Sequence, residues 1–256
     1  MKSKLIILGC GGSVGVPRID DFWGNCKKDN KKNIRTRCSA ILIKGSNIIL
    51  IDTSPDVKEQ LLSNKIKNIS SVIYTHEHAD QTNGLFELRP FFWKYKKRIN
   101  IYGNTQTINS LKKRYDFLFK KKTSYPAIVK SNIIKSDFTL GKNKEKVFFK
   151  TIKVRHGKIT SIAYIFENTA YISDSNDLEI IKIRQLKKLK YLIIDCLKFD
   201  RHPSHFNLDE VLFINQQLKP KKTILTNLHY DLDYDYLLKI LPKNVIPAHD
   251  GMSLSL

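Results

Sequence analysis

Residues 71–81 read Ser-Val-Ile-Tyr-Thr-His-Glu-His-Ala-Asp-Gln, an apolar run followed at once by polar side chains that suit a metal ion. The run Ser71 to Tyr74 has the β-branched and aromatic residues typical of a buried strand. His76, His78 and Asp80 then recur at every second position, in a loop whose backbone can direct them at one centre. Imidazole and carboxylate ligands suit Zn, Mn or Fe better than Ca or Mg. The pattern predicts a metal site where this strand ends.

The composition predicts one globular domain over residues 1–256. The chain has a mass of 29.7 kDa and is 41% hydrophobic and 27% charged, which provides a core and excludes disordered and fibrous proteins. It has no run of ~18 apolar residues that could span a membrane, and the stretch Leu5 to Leu8 is too short for a signal peptide. Its four cysteines are scattered, without a CxxC pair, so we expect reduced thiols and a soluble cytoplasmic protein.

The net charge is strongly positive, since 45 basic residues against 24 acidic ones give +21. Most of the basic residues are lysines spread over the whole chain among many Ile and Asn residues, a composition that AT-rich codon usage produces. The charge should still attract a phosphate-bearing substrate at long range. A nucleic-acid partner is left open and is not favoured.

Short β-branched runs alternate with amphipathic stretches along the chain. The predicted strands are Lys4–Leu8, Ala40–Ile43, Ile48–Ile51, Ser71–Tyr74, Ile99–Tyr102, Val147–Val154, Ile162–Phe166, Thr169–Ile172, Leu192–Ile194, Thr223–Leu225 and Val245–Ile246. The predicted helices are Asp56–Ser63, Thr105–Phe119, Leu178–Lys188, Leu208–Gln217 and Tyr234–Leu241. Asn104 and Asn207 are predicted starts of two of them, the latter with Glu210 three residues later as in a capping box. Because several strands follow one another without an intervening helix, we predict an α/β (α+β) fold of two mixed sheets with helices on their outer faces.

The histidine motif, followed by Gly84-Leu85, resembles the HxHxDH hallmark of the metallo-β-lactamase superfamily. The branch most similar to this chain contains the phosphoribosyl 1,2-cyclic phosphate phosphodiesterases, which are relatives of tRNase Z. Nearly the full chain carries the resemblance, through the glycine loop of residues 8–17, the segments 35–39 and 51–52, and Asp250-Gly251-Met252. It implies an αββα sandwich with a dinuclear metal site at one edge, in agreement with the two-sheet prediction.

The resemblance also implies ligands that come from later strand ends. His156, just after the predicted strand Val147–Val154, matches the third histidine of the superfamily. Asp174, in Tyr-Ile-Ser-Asp, matches its bridging carboxylate. The first metal site implied in this way consists of His76, His78, His156 and Asp174.

The second metal site departs from the superfamily pattern at two positions. Gln81 stands where the motif has its last histidine, and Asn227 stands where a late strand usually ends in Leu-Thr-His. His229, two residues farther on, is the candidate replacement ligand, together with Asp80 and the bridging Asp174. We expect Gln81 and Asn227 to lie beside the ligands, and one or two divalent ions, Zn or Mn with Fe left open.

Three further residues gain roles from the resemblance. His205, just ahead of a predicted helix, matches a proton donor for the leaving oxygen, and a histidine suits this role because its pKa is near neutral. Asp80 would orient the attacking hydroxide. Asp52 resembles a buried carboxylate that orients a ligand histidine. His202 is assigned to the surface, and His249 is kept as a candidate for the pocket lining.

These features predict a metal-dependent hydrolase that cleaves a small phosphodiester, cyclic or not, through a metal-bound hydroxide. A fold alone does not choose a substrate, so thioester and lactam hydrolysis stay open. A tRNase Z-like RNA-processing nuclease is a further alternative, although the chain lacks a long Gly/Pro-rich arm for gripping tRNA. Gln81, Asn227 and the charge of +21 also leave open a nucleic-acid-binding protein with a degenerate metal site. No membrane partner is expected, and a homodimer is left open.

Overall fold

Two seven-stranded sheets pack face to face. The computed structural model describes residues 2–121 and 125–256. The first sheet contains β1 Lys4–Gly9, β2 Ser39–Lys44, β3 Asn47–Ile51, β4 Ser71–Ile73, β5 Ile99–Gly103, β6 Val129–Ile133 and β14 Met252–Ser255. The second contains β7 Phe138–Leu140, β8 Val147–His156, β9 Ile159–Phe166, β10 Thr169–Ile172, β11 Tyr191–Asp195, β12 Lys222–Thr226 and β13 Val245–Pro247. The predicted pair of mixed sheets is confirmed.

Each sheet is half antiparallel and half parallel. In the first, the order is β14-β1-β2-β3-β4-β5-β6, antiparallel as far as β3 and parallel beyond it. In the second, the order is β13-β12-β11-β10-β9-β8-β7, parallel as far as β10 and antiparallel beyond it. Parallel neighbours end at the same edge of a sheet, which is where open α/β sheets bind their ligands.

Seven α-helices accompany the sheets in the described part of the chain: α1 Val57–Ser63, α2 Ala79–Thr82, α3 Arg89–Tyr95, α4 Thr105–Arg114, α5 Asp116–Phe119, α6 Leu208–Leu218 and α7 Tyr234–Ile240. The predicted helix starts at Asn104 and Asn207 are confirmed by their side-chain caps. At α6, Asn207 accepts from the backbone of Glu210, whose carboxylate accepts in return from the backbone of Asn207. None of the helices that the structure describes is long and apolar enough to cross a membrane.

Side-chain alternation along β1 shows how the layers form. Leu5 and Ile7 belong to the large core that also contains buried residues of the second sheet, such as Tyr171. Ile6 and Leu8 belong to a separate core between the first sheet and its helices. The period of two in a strand places alternate side chains on opposite faces, so both faces of the first sheet are buried.

Two predicted helices differ in the structure. The predicted helix Leu178–Lys188 is instead a pair of 3₁₀ helices, Leu178–Lys182 and Arg184–Leu186, separated by an extended Ile183. Ile180 and Leu186 are both buried in the core, and in one continuous α-helix they would point ~120° apart. The predicted helix Thr105–Phe119 is interrupted at Tyr115, whose backbone leaves helical geometry.

Elements that the prediction missed are short or lie at a sheet end. They include β6, β7, β14, α2 and α3. The sequence of β6, Val-Lys-Ser-Asn-Ile, carries little apolar signal because this strand lies at the end of the first sheet. A strand with a neighbour on one side only tolerates polar residues.

Asp250 connects two loops that contribute residues to the cavity described below. Its carboxylate accepts hydrogen bonds from the backbone of Cys10 at 3.0 Å and from the backbone and hydroxyl of Thr36 at 2.7 and 2.6 Å. The glycine loop and the segment of residues 35–39, both quoted for the family resemblance, are thereby held together. Ser13 of the glycine loop and Arg37 of the second segment line this cavity.

Candidate metal centre

Three imidazoles converge where strands of the two sheets end. His76 and His78 lie in the loop after β4, and His156 ends β8. The centroid of the His76 ring lies 4.6 Å from that of His78 and 5.0 Å from that of His156, with the rings edge to face. One ring nitrogen of each histidine lies within 4.8 Å of the other two. This is the arrangement of a tripod that could hold one cation.

The orientation of His76 is determined by a chain of hydrogen bonds that ends at Asp52. The Thr75 hydroxyl donates to the Asp52 carboxylate at 2.8 Å, and the backbone N–H of Thr75 donates to the other oxygen at 2.8 Å. The same hydroxyl lies 3.0 Å from Nδ1 of His76 and, because its own proton goes to Asp52, accepts a hydrogen bond from the Nδ1–H group. Asp52 thus reaches the histidine through Thr75, a residue that the sequence analysis did not select, and not by direct contact.

The other nitrogen of His76 tests whether the site fits a metal. Nε2 is buried and has no hydrogen-bond partner among the described residues. Burial lowers the pKa of His76 to about 3, so the ring is neutral and Nε2 carries a free lone pair. A buried polar atom without a partner is costly, and a cation held between the three imidazoles would satisfy it. The residues therefore fit a divalent metal ion.

His156 and Asp174 complete this side of the site. Nδ1 of His156 donates to the carbonyl of Ser204 at 2.6 Å, which leaves Nε2 to face Nδ1 of His78 at 3.3 Å and the Asp174 carboxylate at 3.9 Å. Burial opposes the charge on Asp174, but the adjacent histidines outweigh it and hold the pKa of this carboxyl below its ordinary value. Asp174 is therefore an anion beside the three imidazoles.

Gln81 and Asn227 both contact Asp174. The Gln81 amide nitrogen lies 3.3 Å from one oxygen of Asp174, and the Asn227 amide nitrogen lies 3.3 Å from the other. Because an ionised carboxylate only accepts hydrogen bonds, both amides act as donors. The two residues lie beside Asp174, as expected, and each uses an N–H group there.

His205 forms a buried pair with Asp195. Its Nδ1 lies 2.7 Å from the carboxylate of Asp195, which is fully buried at the end of β11 and also accepts from the backbone of Ser175. Burial works against a charged imidazole, but Asp195 and Asp174 outweigh it and raise the pKa of His205 to about 9. His205, Asp174 and His156 form a second group of ligand atoms within 4.8 Å of one another. Sequence reasoning missed Asp195, although it directly follows the predicted strand Leu192–Ile194.

A cavity of about 680 Å³ opens beside these groups. Its wall includes Asp80, His205 and Asn227 from the site. Burial and the nearby charge of Asp174 raise the pKa of Asp80 to about 6. Asp80 is in neither group of clustered ligand atoms. The volume suits a small-molecule site.

A comparison with known protein families agrees with this geometry. The model of the beta-lactamase superfamily domain matches residues 47–230, a range that contains every histidine and carboxylate of the two groups. The chain belongs to the beta-lactamase superfamily. The predicted superfamily is therefore confirmed, and with it the layered fold of two mixed sheets.

Solved structures of this superfamily include close matches to the fold. A diphosphatase of the PhnP family is 30% identical, with a TM-score of 0.91 and coverage of 100% of this chain and 98% of that one. The short form of human tRNase Z is 16% identical, with a TM-score of 0.68 and coverage of 98% of both chains, which shows the shared fold. The first match places the chain with the predicted branch of the superfamily.

A curated relative shows that similar chains occur within longer proteins. The octanoyltransferase of Porphyromonas gingivalis (strain ATCC BAA-308 / W83) is 28% identical over 97% of this chain. The chain spans about half, 51%, of the length of that relative.

In this superfamily member, His229 does not join either group of ligand atoms. Its Nδ1 lies 2.9 Å from the carboxylate of Asp231, and the centroid of its ring lies 3.5 Å from that of Tyr230. Leu228, between Asn227 and His229, is fully buried, so the backbone after β12 presents Asn227 to Asp174 and His229 to the cavity wall. The expected shift of His229 to the metal is absent from the structure.

The two remaining histidines also differ from expectation. His202, assigned to the surface, is half-buried and lines the cavity with its ring 5.1 Å from that of His205. His249, a candidate for the lining, instead lies near Tyr234, with Nδ1 3.0 Å from the carbonyl of Asp250. It is not among the residues that line this cavity.

Proposed function

We propose that this superfamily member is a metal-dependent hydrolase that cleaves a small phosphodiester, cyclic diesters included. The observation that carries this proposal is the buried, unpartnered Nε2 of His76, which belongs to a cluster with nitrogens of His78 and His156. Asp80 and His205 are among the ionisable groups that line the cavity beside the cluster. A Lewis acid and a proton donor would therefore face one substrate.

His76, His78, His156 and Asp174 would hold the ion. A bound Zn²⁺ or Mn²⁺, with Fe²⁺ as a further candidate, lowers the pKa of a coordinated water to ~7 and offsets the charge of a phosphate. The protein orients two of these rings, since Nδ1 of His76 donates a hydrogen bond to Thr75 and Nδ1 of His156 donates one to the carbonyl of Ser204, which leaves Nε2 of each ring towards the site.

Asp80 and His205 would have different roles in the reaction. The Asp80 carboxylate, on the cavity wall, would accept a hydrogen bond from the attacking water and orient it. His205 would protonate the departing oxygen through Nε2, because its Nδ1–H donates to Asp195. Although burial opposes the charge, Asp195 and Asp174 raise the pKa of His205 to about 9, so near neutral pH the ring is protonated on both nitrogens and Nε2 has a proton to give.

The size of the cavity and the net charge of the chain support a small phosphate substrate. A cavity of about 680 Å³ suits a small molecule, and the net charge of +21 favours anions. The 30%-identical neighbour is described as a diphosphatase, which supports chemistry at phosphorus. A single domain over residues 1–256, a cytoplasmic location and a homodimer are predictions that await measurement.

The test uses the purified protein, loaded with Zn²⁺ or Mn²⁺, and a generic aryl phosphodiester. We expect turnover by the wild-type chain, and loss of both bound metal and turnover in His76→Ala. His249→Ala is the matched control, since this residue lies away from the cavity. A metal-loaded wild-type chain without turnover would contradict the proposal. If it bound RNA with a steep salt dependence instead, a nucleic-acid function would be favoured.

A further inference from the structure

The position of the Asn227 amide bears on how many ions the site can hold. Its nitrogen Nδ2 lies 3.3 Å from Asp174, 3.1 Å from the second oxygen of Asp195 and 3.1 Å from Nδ1 of His205. Asn227 is 1% exposed, so water does not compete for these contacts. A neutral N–H group therefore occupies the space between two carboxylates and an imidazole.

The hydrogen-bond roles follow from the chemistry of each group. Nδ1 of His205 donates to Asp195 and cannot accept a second proton. The two amide hydrogens of Asn227 are thus available to Asp174 and Asp195, each of which accepts one. A reversed amide would turn its oxygen towards two carboxylate oxygens and would be repelled.

A second cation between Asp174 and His205 would require ligands at ~2.0–2.2 Å from the ion. The nitrogen of His205 that lies near Asp174, at 3.9 Å, is the one that carries a proton for Asp195. The oxygen of Asp174 on this side accepts from Asn227, and its other oxygen accepts from Gln81. Each oxygen of Asp174 thus keeps a lone pair for the first ion, whereas Nδ1 of His205, which faces this side, has none to offer a second one.

We infer that Gln81 and Asn227 take the place of a second cation, so that this chain binds one metal ion. The amide hydrogens supply the partial positive charge that a second ion would otherwise bring to Asp174. The first group is unaffected, since Nε2 of His76 has no such donor beside it. This inference rests on the metal site of the proposed function and specifies how many ions it holds.

The experiment measures the metal content of the chain directly. Metal-free protein is titrated with Mn²⁺ or Zn²⁺, and ions per chain are counted by native mass spectrometry and elemental analysis. The wild-type chain is compared with the double variant Gln81→His/Asn227→His. Gln217→His, on the exposed side of α6, is the control for an added surface histidine. Circular dichroism verifies that each variant is folded.

We expect one ion in the wild-type chain and in Gln217→His, and two in the double variant. Any second ion in the wild-type chain should bind more than ~100-fold more weakly than the first. Loss of a residue that only hydrogen-bonds to a metal ligand lowers affinity ~10–100-fold, and the second position lacks ligands that would contact the ion directly. Two ions of similar affinity in the wild type would overturn the inference and leave the proposed function intact. A folded double variant with one ion would also overturn it. If the double variant does not fold, the wild-type count decides, and a count of zero would contradict the proposed function itself.

Discussion

The imidazole of His205, which lines the cavity, and the carboxylate of Asp195 form a 2.7 Å hydrogen bond. Asp195 ends β11, and His205 lies ten residues later, just before α6. The bond places a proton on Nδ1, and in the proposed mechanism Nε2 is the nitrogen that faces the substrate. A proton donor whose ring is held in position in this way needs no reorganisation during the reaction.

Replacing His205 should separate metal binding from turnover. We expect His205→Gln to keep the metal content of the wild-type chain and to lose ~10²–10⁴-fold in kcat, the usual contribution of a general acid. The measurement pairs elemental analysis with single-turnover kinetics on an aryl phosphodiester. His249→Gln, which replaces a histidine outside the cavity, should match the wild type. Unchanged kcat in His205→Gln would remove this residue from the mechanism.

Thr75 offers a test of the link between Asp52 and His76. Thr75→Val keeps the shape of the side chain but deletes the hydroxyl, so His76 loses its partner at Nδ1. We expect metal affinity to fall ~10–100-fold, as for other residues that support a ligand histidine. Thr75→Ser restores the hydroxyl and should recover most of the affinity. Equal affinities for the Val and Ser variants, measured by competition with a chelating dye, would contradict this role.

Gly84, in the 3₁₀ helix Asn83–Leu88 that follows α2, should be intolerant of a side chain. A Cβ there would lie 2.1 Å from the carbonyl of Ser54 and 2.6 Å from the side chain of Val57, so the loop before α1 would have to move. We expect Gly84→Ala to lower the free energy of unfolding by at least ~1–3 kcal/mol. Gly103→Ala is the control, because its nearest contact would be an ordinary 3.4 Å. Urea denaturation compares the two, and similar midpoints would refute the argument.

The capping box of α6 affects stability without touching the metal site. Asn207→Ala removes the acceptor for the backbone of Glu210 and should cost ~1 kcal/mol of unfolding free energy. For a chain of this size the melting temperature should fall by ~2–4 °C. Asn207→Asp keeps the acceptor and should stay near the wild type. A thermal scan in which Asn207→Ala melts with the wild type would show that the cap contributes nothing.

Local patterns predicted much of this fold. The β-branched runs located eleven strands, and the caps at Asn104 and Asn207 located two helix starts, because these signals act between neighbours in the sequence. The missed β6 and the broken helix near residue 183 show the limit of this approach. In both, position in the sheet or burial in the core outweighed local propensity.

The same distinction between local signals and tertiary packing applies to the residues of the candidate site. His76 and His78 were visible from their spacing, whereas the roles of Thr75 and Asp195 depend on hydrogen bonds that form only in the folded chain. His229 shows that a residue of the right type can still miss the site. Leu228 is buried beside it, and the His229 side chain lies at the cavity wall instead of among the clustered ligand atoms.

The sequence by itself determined the residue types of the metal site, the apolar alternation that forms two sheets, and the family to which the chain belongs. Only the tertiary structure decided which of these polar groups meet. Distances between side chains from different strand ends depend on strand register and loop path, which arise from packing of the two sheets. Local periodicity contains no information on that packing, so the amide donors beside Asp174 became apparent only in the folded molecule.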